Sequence, residues 1–504
     1  MTAADPAVAP PSPVDTDQPT ASTSFAEALA LVARCRPSGP QATQEPAVDY
    51  HPARAPWASP GAADPVTPPE GGIAATRRRL GEGEVSAVEL LQQAIAAAED
   101  RGRALGAIVE LLADQATADA VRLDRLAAER GPEGLGPLHG IPVTVKDILH
   151  VAGVATRGGS AAYRSVPTKD AVAVARVRGA GAVIVAKVST HEFALGVTTP
   201  QSGNPLDDSR IAGGSSGGSA IAVACGIGMA SIGTDTRASI RVPASMCGVV
   251  GLKGTYGVVP TGGILPLSWT MDHVAPIAAR VDDAALMLAV MADRADLWPP
   301  RAATGRHWRI GVPDAGFDGC DPAIATVVGD AIAALAGRLG AAVVALSRPG
   351  TADFDVANAA GLIVSRCEAA TVHRALGTDT RRCSDEVAAQ LAAAAQVSAA
   401  DYLDAQRLRA VLARDLLGVF DTCDVLCQPT VLVSPPRRTE YDRYLTVLSR
   451  PCVPWSLCGF PAVSLPCGRD ALGFPVGLQI VGPPGSDEAV IAVAAAAEAT
   501  VARG

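Results

Sequence analysis

A chain of 504 residues with 48% hydrophobic and 18% charged residues carries ample apolar material for a large core and lacks the charge excess that keeps chains unfolded. Its formal charge of -9, from 42 Lys+Arg against 51 Asp+Glu, comes without a basic run able to track a phosphate backbone, so nucleic acid is not an expected partner. The 11 cysteines are odd in number and scattered, which argues against a disulfide framework and for reduced thiols.

Residues 1–70 are rich in Ala, Pro, Ser and Thr and are read as an extension. The opening stretch has no positive n-region and is broken by proline, so no secretory signal is expected. One helix-like island, Ser24 to Arg34, either docks on the body or on a partner or forms a marginal helix in the arm. Residues 71–504 are expected to form one domain. There Ser86 reads as a helix N-cap with Glu89 three residues on, and a second helix is expected from Leu105 to Arg130. Gly134 to Gly140 then punctuates the chain before a short strand, Ile141 to Val145, that ends at Lys146.

Downstream, AVAVARVRGAGAVIVAKVS reads as helix, glycine turn and strand. Apolar helix-like stretches follow at Ala220 to Gly228 and Ala284 to Ala292, and Trp308 to Leu346 repeats the strand, helix, strand order. An α/β sheet with helices on both faces is the simplest packing. Gly, Pro or charge interrupts every apolar run before about 18 residues, so no membrane span is expected and the protein is read as cytoplasmic.

The chemistry concentrates in Gly213 to Ala220 and Gly233 to Pro243. A flexible linker is a poor reading of Gly-Gly-Ser-Ser-Gly-Gly-Ser, because an apolar stretch that must be buried follows directly. A phosphate-binding loop fails too, since Ser219 stands where its lysine is needed. Nucleophilic attack on a carbonyl carbon calls for an activated nucleophile, a base and donors for the developing oxyanion, and Ser, Lys and glycine-rich backbone can supply all three. Lys146 closes an apolar strand, where desolvation favours its neutral amine, although a lysine there could equally pair with a carboxylate such as Asp147 or snorkel to solvent.

The rival chemistries lack their patterns. His139, His191 and His273 come with no Gly-x-Ser-x-Gly elbow or distinctive Ser-His-Asp arrangement, and His191-Glu192 leads into Phe193-Ala194-Leu195 rather than a zinc-protease motif. His191 either lines the pocket or, the favoured reading, is a packed or exposed histidine. Cys423, Cys427, Cys452, Cys458 and Cys467 lack the paired short spacings of structural zinc, so no metal and no organic cofactor is expected.

Taken in order, Gly136-Pro137-Leu138-His139-Gly140-Ile141-Pro142-Val143-Thr144-Val145-Lys146-Asp147, the Gly213 to Ala220 segment and Gly233 to Pro243 resemble the amidase signature family. Asn204-Pro205, Ser209-Arg210, Cys247 to Lys253, Asp272-His273 and Gly473 to Gln479 extend the likeness over most of the chain. The 24 residues between Ser215 and Ser239 also fit the family spacing.

The resemblance implies a single domain with a twisted, mixed sheet covered by helices on both faces. It implies Ser239 as nucleophile, Ser215 as proton relay after a cis Gly214-Ser215 bond, and Lys146 as base. The backbone N-H groups of Thr236, Arg237, Ala238 and Ser239 would form the oxyanion hole. Gly214, Ser216, Asp235 and Arg241 would support the site, with Ser219 as a further hydrogen bonder. One departure stands out: the family commonly has two small residues before the nucleophile, and this chain has Arg237-Ala238. A positive φ at Arg237 would be strained. Its guanidinium either meets a carboxylate of an acidic substrate or pairs with an acid structurally, and the structural role is slightly favoured.

The expected activity is hydrolysis of a small-molecule carboxamide through an acyl-Ser239 intermediate, with no membrane partner and a homodimer left open. Three rivals are carried: the amidase-like subunit of a glutamine-dependent tRNA amidotransferase, a biosynthetic acyltransferase in which an amine replaces water, and a scaffold inactivated by the Arg237-Ala238 departure. The segment from Cys427 to Pro451 is read as a variable wall of the acyl pocket.

Overall fold

The computed structural model of the chain describes residues 25–35, 71–303, 306–347 and 354–501. The expected boundary at residue 70 therefore lies outside the described residues. The helical island is present as α1 (Phe25–Arg34). It docks on the body through Ala28 and Val32, both buried against two later helices.

In chain order there follow α2 (Ile73–Gly81), α3 (Ala87–Ala97), β1 (Ile108–Leu111), α4 (Ala113–Arg130) and β2 (Pro142–Lys146). Ser86 caps α3 as expected, accepting from Glu89 N at 3.1 Å while Ser86 N donates to Glu89 Oε2 at 2.8 Å. The single helix expected over Leu105 to Arg130 is corrected: Ile108–Leu111 is an edge strand, and the helix starts at Ala113. Antiparallel pairing with a strand made nearly 80 residues later captures this β-prone Ile-Val segment, a tertiary effect that local periodicity does not carry.

Next come α5 (Val172–Gly179), β3 (Val183–Val188), α6 (Gly217–Ala224), β4 (Ala230–Asp235), α7 (Arg241–Cys247), β5 (Val250–Lys253) and β6 (His273–Ala278). The chain continues through α8 (Val281–Ala292), β7 (Arg309–Pro313), α9 (Pro322–Leu339), β8 (Ala342–Leu346), α10 (Phe354–Leu376), α11 (Asp385–Ala394) and α12 (Ala399–Val419). It ends with β9 (Val425–Pro429), α13 (Leu445–Ser449), α14 (Val453–Leu457), β10 (Ala462–Arg469), β11 (Pro475–Val481) and α15 (Asp487–Val501).

The strands form one mixed sheet in the order β1-β3-β2-β4-β6-β5-β10-β11-β9-β7-β8, with parallel pairing around β2 and around β7 and antiparallel pairing between. Helices cover both faces, and the period-2 alternation of the strands sorts those faces by chemistry. Val143 and Val145 of β2, Val463 and Leu465 of β10, and Leu478 and Ile480 of β11 belong to the main apolar core with α8, α9 and α15. Their neighbours Thr144, Lys146, Ser464 and Gln479 point to the other face, where α6 and α7 lie. A sheet buried along its central strands, with one polar face there, is the scaffold on which the site is built.

α9 has the length and mean hydropathy, 1.4, that a membrane span requires. Its Ile324, Val328, Ile332 and Leu335 follow helical spacing and pack in the sheet core, so it is placed as an amphipathic core helix.

Candidate active site

Two parallel strands and two helix starts converge. β2 ends at Lys146, its neighbour β4 ends at Asp235, α6 begins just after Ser216, and α7 begins at Arg241. Lys146 is fully buried, and its Nζ donates to Ser215 Oγ at 2.8 Å, Ser216 Oγ at 2.9 Å and Thr234 Oγ1 at 2.8 Å. Burial pushes its amine down to about 7, against the pull of Asp235 and Asp272 toward the charged form. Among the described residues no carboxylate lies within ion-pair distance of it. The candidate partner Asp147 is taken by Lys187 at 2.9 Å.

The Gly214-Ser215 bond is cis. A Cβ at Gly214 would sit 1.8 Å from the Thr198 carbonyl oxygen, so no side chain fits there. Gly218 is equally closed, since its Cβ would lie 2.4 Å from Ser189 Oγ. Ser216 carries two loads: its hydroxyl accepts from Lys146 and donates to the Thr234 carbonyl at 3.1 Å, and its N-H donates to the Ser239 carbonyl at 3.2 Å. This last bond ties the Ser239 segment to the Ser215-Ser216 corner. Ser219 is a correction, because its buried hydroxyl has no partner among the described residues and so contributes no support.

The Ser239 loop is held from beneath. Asp235 accepts from Arg241 Nε at 3.0 Å, Arg241 Nη2 at 3.1 Å and Ile240 N at 3.2 Å, all fully buried. Burial alone would raise the Asp235 carboxyl, but the forked guanidinium of Arg241 holds it well below the usual carboxylate range. Arg241 also donates to Gln479 Oε1 at 2.7 Å and to the Cys452 carbonyl at 3.1 Å, fastening the loop to β11 and α14. Thr236 Oγ1 donates to Asp272 at 2.6 Å. Burial pushes that carboxyl up to about 6, against hydrogen bonds from Thr236, Ser268 and Leu267.

Above this support, the N-H groups of Thr236, Arg237, Ala238 and Ser239 donate to no protein acceptor among the described residues. The Ser239 hydroxyl likewise has no protein partner among them, and the residue is 4% exposed. The loop therefore offers a free hydroxyl and free backbone donors beside a buried amine. Arg237 avoids the strain that a positive φ would bring, since it is not among the described residues with that conformation. The acid partner slightly favoured for it is absent: its guanidinium donates to the Asn358 side chain and, at 3.5 Å, to the Asn358 carbonyl.

Arg237 also opens onto a cavity of about 400 Å³ walled by α10, α11, the Leu195–Val197 loop and Phe25 of α1. Leu445 and Thr446 close another side, so the Cys427 to Pro451 segment does supply part of this wall. His191 is buried one layer behind, with its Nε2 3.6 Å from Glu386 of the lining. A larger cavity, about 710 Å³, opens among α10, α11 and α12; Lys146, Ser215 and Ser239 line neither cavity, and Arg237 is what joins the smaller one to the Ser239 loop.

Thr234, Asn358 and Arg366 were not singled out in the sequence. Thr234 had a usable signal, the alternation of β4 next to the strand that ends at Lys146. Asn358 and Arg366 lie more than 100 residues downstream in an Ala-rich helix and had none.

The fold defines the class, a single-domain α/β protein with the amidase signature fold. The family model described as Amidase matches residues 89–491, and the chain belongs to the amidase signature family. A glutamyl-tRNA(Gln) amidotransferase subunit from Synechococcus sp. (strain CC9605) is 35% identical over 457 residues, covering 81% of this chain and 92% of that protein. A solved amidase is 34% identical with a TM-score of 0.76, covering 85% of this chain and all of that one. A chain from a vestigial protein complex tied to the origins of an s-triazine catabolic enzyme is 29% identical with a TM-score of 0.77, covering 85% of this chain and 98% of that one.

Proposed function

We propose that the chain hydrolyses the carboxamide bond of a small molecule, with Ser239 as nucleophile, Ser215 as relay and Lys146 as base. The observation that carries the reading is the buried Lys146 amine, lowered to about 7 and 2.8 Å from Ser215 Oγ. Near neutral pH a large fraction of this lysine is an amine with a free lone pair, and Ser215 can donate to it while accepting from Ser239. Ser239 Oγ attacks the amide carbon as its proton moves through Ser215 to Lys146. The N-H groups at 236–239 hold the oxyanion. Collapse breaks the C-N bond, the proton returns through Ser215 to the leaving nitrogen, and water then releases the acid from the acyl-enzyme by the same relay.

A second reading has a specific observation behind it. Curated relatives are subunits of glutamyl-tRNA(Gln) amidotransferases, and 35% identity over 457 residues favours a chain that takes ammonia from an amide for use by another protein in a complex. Both readings share the acyl-Ser239 step. The test is turnover by the purified chain of a panel of primary amides, including glutamine, with and without candidate partner proteins. Turnover by the lone chain supports the free-standing enzyme, whereas activity that emerges only in a complex supports the amidotransferase reading. A fluorophosphonate that labels the chain, with labelling lost in Ser239→Ala, separates both from a scaffold.

A further inference from the structure

The cavity beside the nucleophile has an unusual lining for an acyl pocket. It begins at Arg237, two residues before Ser239, and at Val197, next to Thr198, whose carbonyl packs on Gly214. Most of its wall is small or apolar, yet two guanidinium groups enter it, Arg237 from the nucleophile loop and Arg366 from α10. Neither has a carboxylate within ion-pair distance among the described residues. Arg237 leans on the Asn358 amide, and its buried Nε has no partner among the described residues. Arg366 donates to Gln390 Oε1 at 2.6 Å, the Leu195 carbonyl at 3.0 Å and Ser365 Oγ at 3.3 Å. All of these are neutral acceptors.

Two cations facing one cavity, with Glu386 beyond ion-pair distance as the acid of the lining, are costly, because burial and mutual repulsion act together. Burial, and then the Arg366 charge, push Arg237 down to about 9, and burial pushes Arg366 down to about 10 despite the more distant Glu386. Both remain protonated at neutral pH. Glu386 is the acid of the lining, but Gln390 Nε2 donates to it at 3.1 Å and His191 lies 3.6 Å away, so it is engaged elsewhere. Two guanidiniums on neutral acceptors at one cavity are suited to gripping a carboxylate.

We propose that this cavity is a carboxylate subsite, and that the substrate is an amide whose acyl portion ends in a carboxylate gripped by Arg237 and Arg366. The proposal rests on the amidohydrolase reading for its position beside Ser239. Arg237 connects the two functions, since its backbone belongs to the oxyanion loop and its side chain meets the far end of the acyl group. The residue departing from the family pattern thus becomes the specificity element. Phe25 and the apolar wall would enclose the methylene chain between the two ends.

The test uses monoamides of C3 to C6 dicarboxylic acids against straight-chain amides of matched length, with the intact chain. The expected result is a preference in kcat/KM of about 10-fold or more for one length of carboxylated amide, carried mainly in KM, because hydrogen bonds to a charged group contribute about 1.5–3 kcal/mol. Arg366→Gln should erase that preference, and Arg366→Lys should restore part of it, a selectivity pattern that a merely structural arginine would not give. Binding of the corresponding diacids to Ser239→Ala is read by calorimetry without turnover, and it should weaken about 10-fold or more in Ser239→Ala/Arg366→Gln. Equal kcat/KM for carboxylated and neutral amides, or diacid affinity unaffected by Arg366→Gln, overturns the subsite. Diacid binding that depends on Arg366 in a chain that hydrolyses no amide and takes no fluorophosphonate keeps the subsite and overturns the hydrolase instead.

Discussion

Lys146 ends β2 and Lys187 stands one residue before the end of the neighbouring β3, each after an apolar β-run, and both are fully buried. Their surroundings differ in kind. Lys187 meets Asp147 at 2.9 Å, whereas Lys146 meets three hydroxyls and no carboxylate within ion-pair distance. Burial lowers both amines, but Asp147 acts to hold the proton on Lys187, while hydroxyls can either accept from a charged lysine or donate to a neutral one. Lys253 completes the comparison: burial pushes it also to about 7, yet its partners are the carbonyls of Gly254 and Phe460 and, at 3.4 Å, the His273 Nε2, with no serine or threonine hydroxyl among them to link it to Ser239. A lowered amine is therefore not enough to mark a base. The chemistry of the atoms around it decides.

Breaking the Lys146 side of this comparison should have the largest effect. Lys146→Ala or Ser239→Ala should reduce kcat/KM on any amide substrate by on the order of 10⁴-fold or more, measured by steady-state kinetics, because groups acting as one relay fail together. Breaking the Lys187 side should act on folding. Lys187→Met leaves Asp147 buried and unpaired and should cost about 3–5 kcal/mol in denaturant unfolding, while Lys187→Met/Asp147→Leu should recover most of that loss. Residual kcat/KM per folded molecule should remain far above that of Lys146→Ala. Thr234→Val sharpens the picture with a smaller effect: removing one neutral hydrogen bond from the lysine should lower kcat/KM about 10-fold and shift the acid limb of the pH profile downward, since an acceptor for the ammonium is lost.

The similarity of the two strands also explains what could be read from the chain. Lys146, Ser215, Ser239 and the Asp235 and Arg241 support stand in contiguous motifs whose spacing reflects a loop that must close on itself, and the resemblance distinguished Lys146 from its twin. The strand and helix order after residue 140 followed hydrophobic period. β1 did not, because its identity depends on pairing with β3. The cavity onto which Arg237 opens was the least legible part: Phe25, Asn358, Arg366 and Leu445 come from three separate helices, and each alone looks like an ordinary helix residue. The acid partner slightly favoured for Arg237 failed for the same reason, since the neighbour that decides its role is supplied by a helix 121 residues away.

The most direct test of the account is the pH dependence of Ser239 acylation by a fluorophosphonate or a slow amide, in the wild type and in Lys146→Ala. The neutral lysine is the active form, so the acylation rate should rise as pH increases through about 7, the value to which burial brings Lys146, and should level off above it. The residual rate of Lys146→Ala should lack that limb. A wild-type rate that stays flat from about pH 5 to 9, on either side of that value, or the same limb persisting in Lys146→Ala, would contradict the assignment of Lys146 as the base.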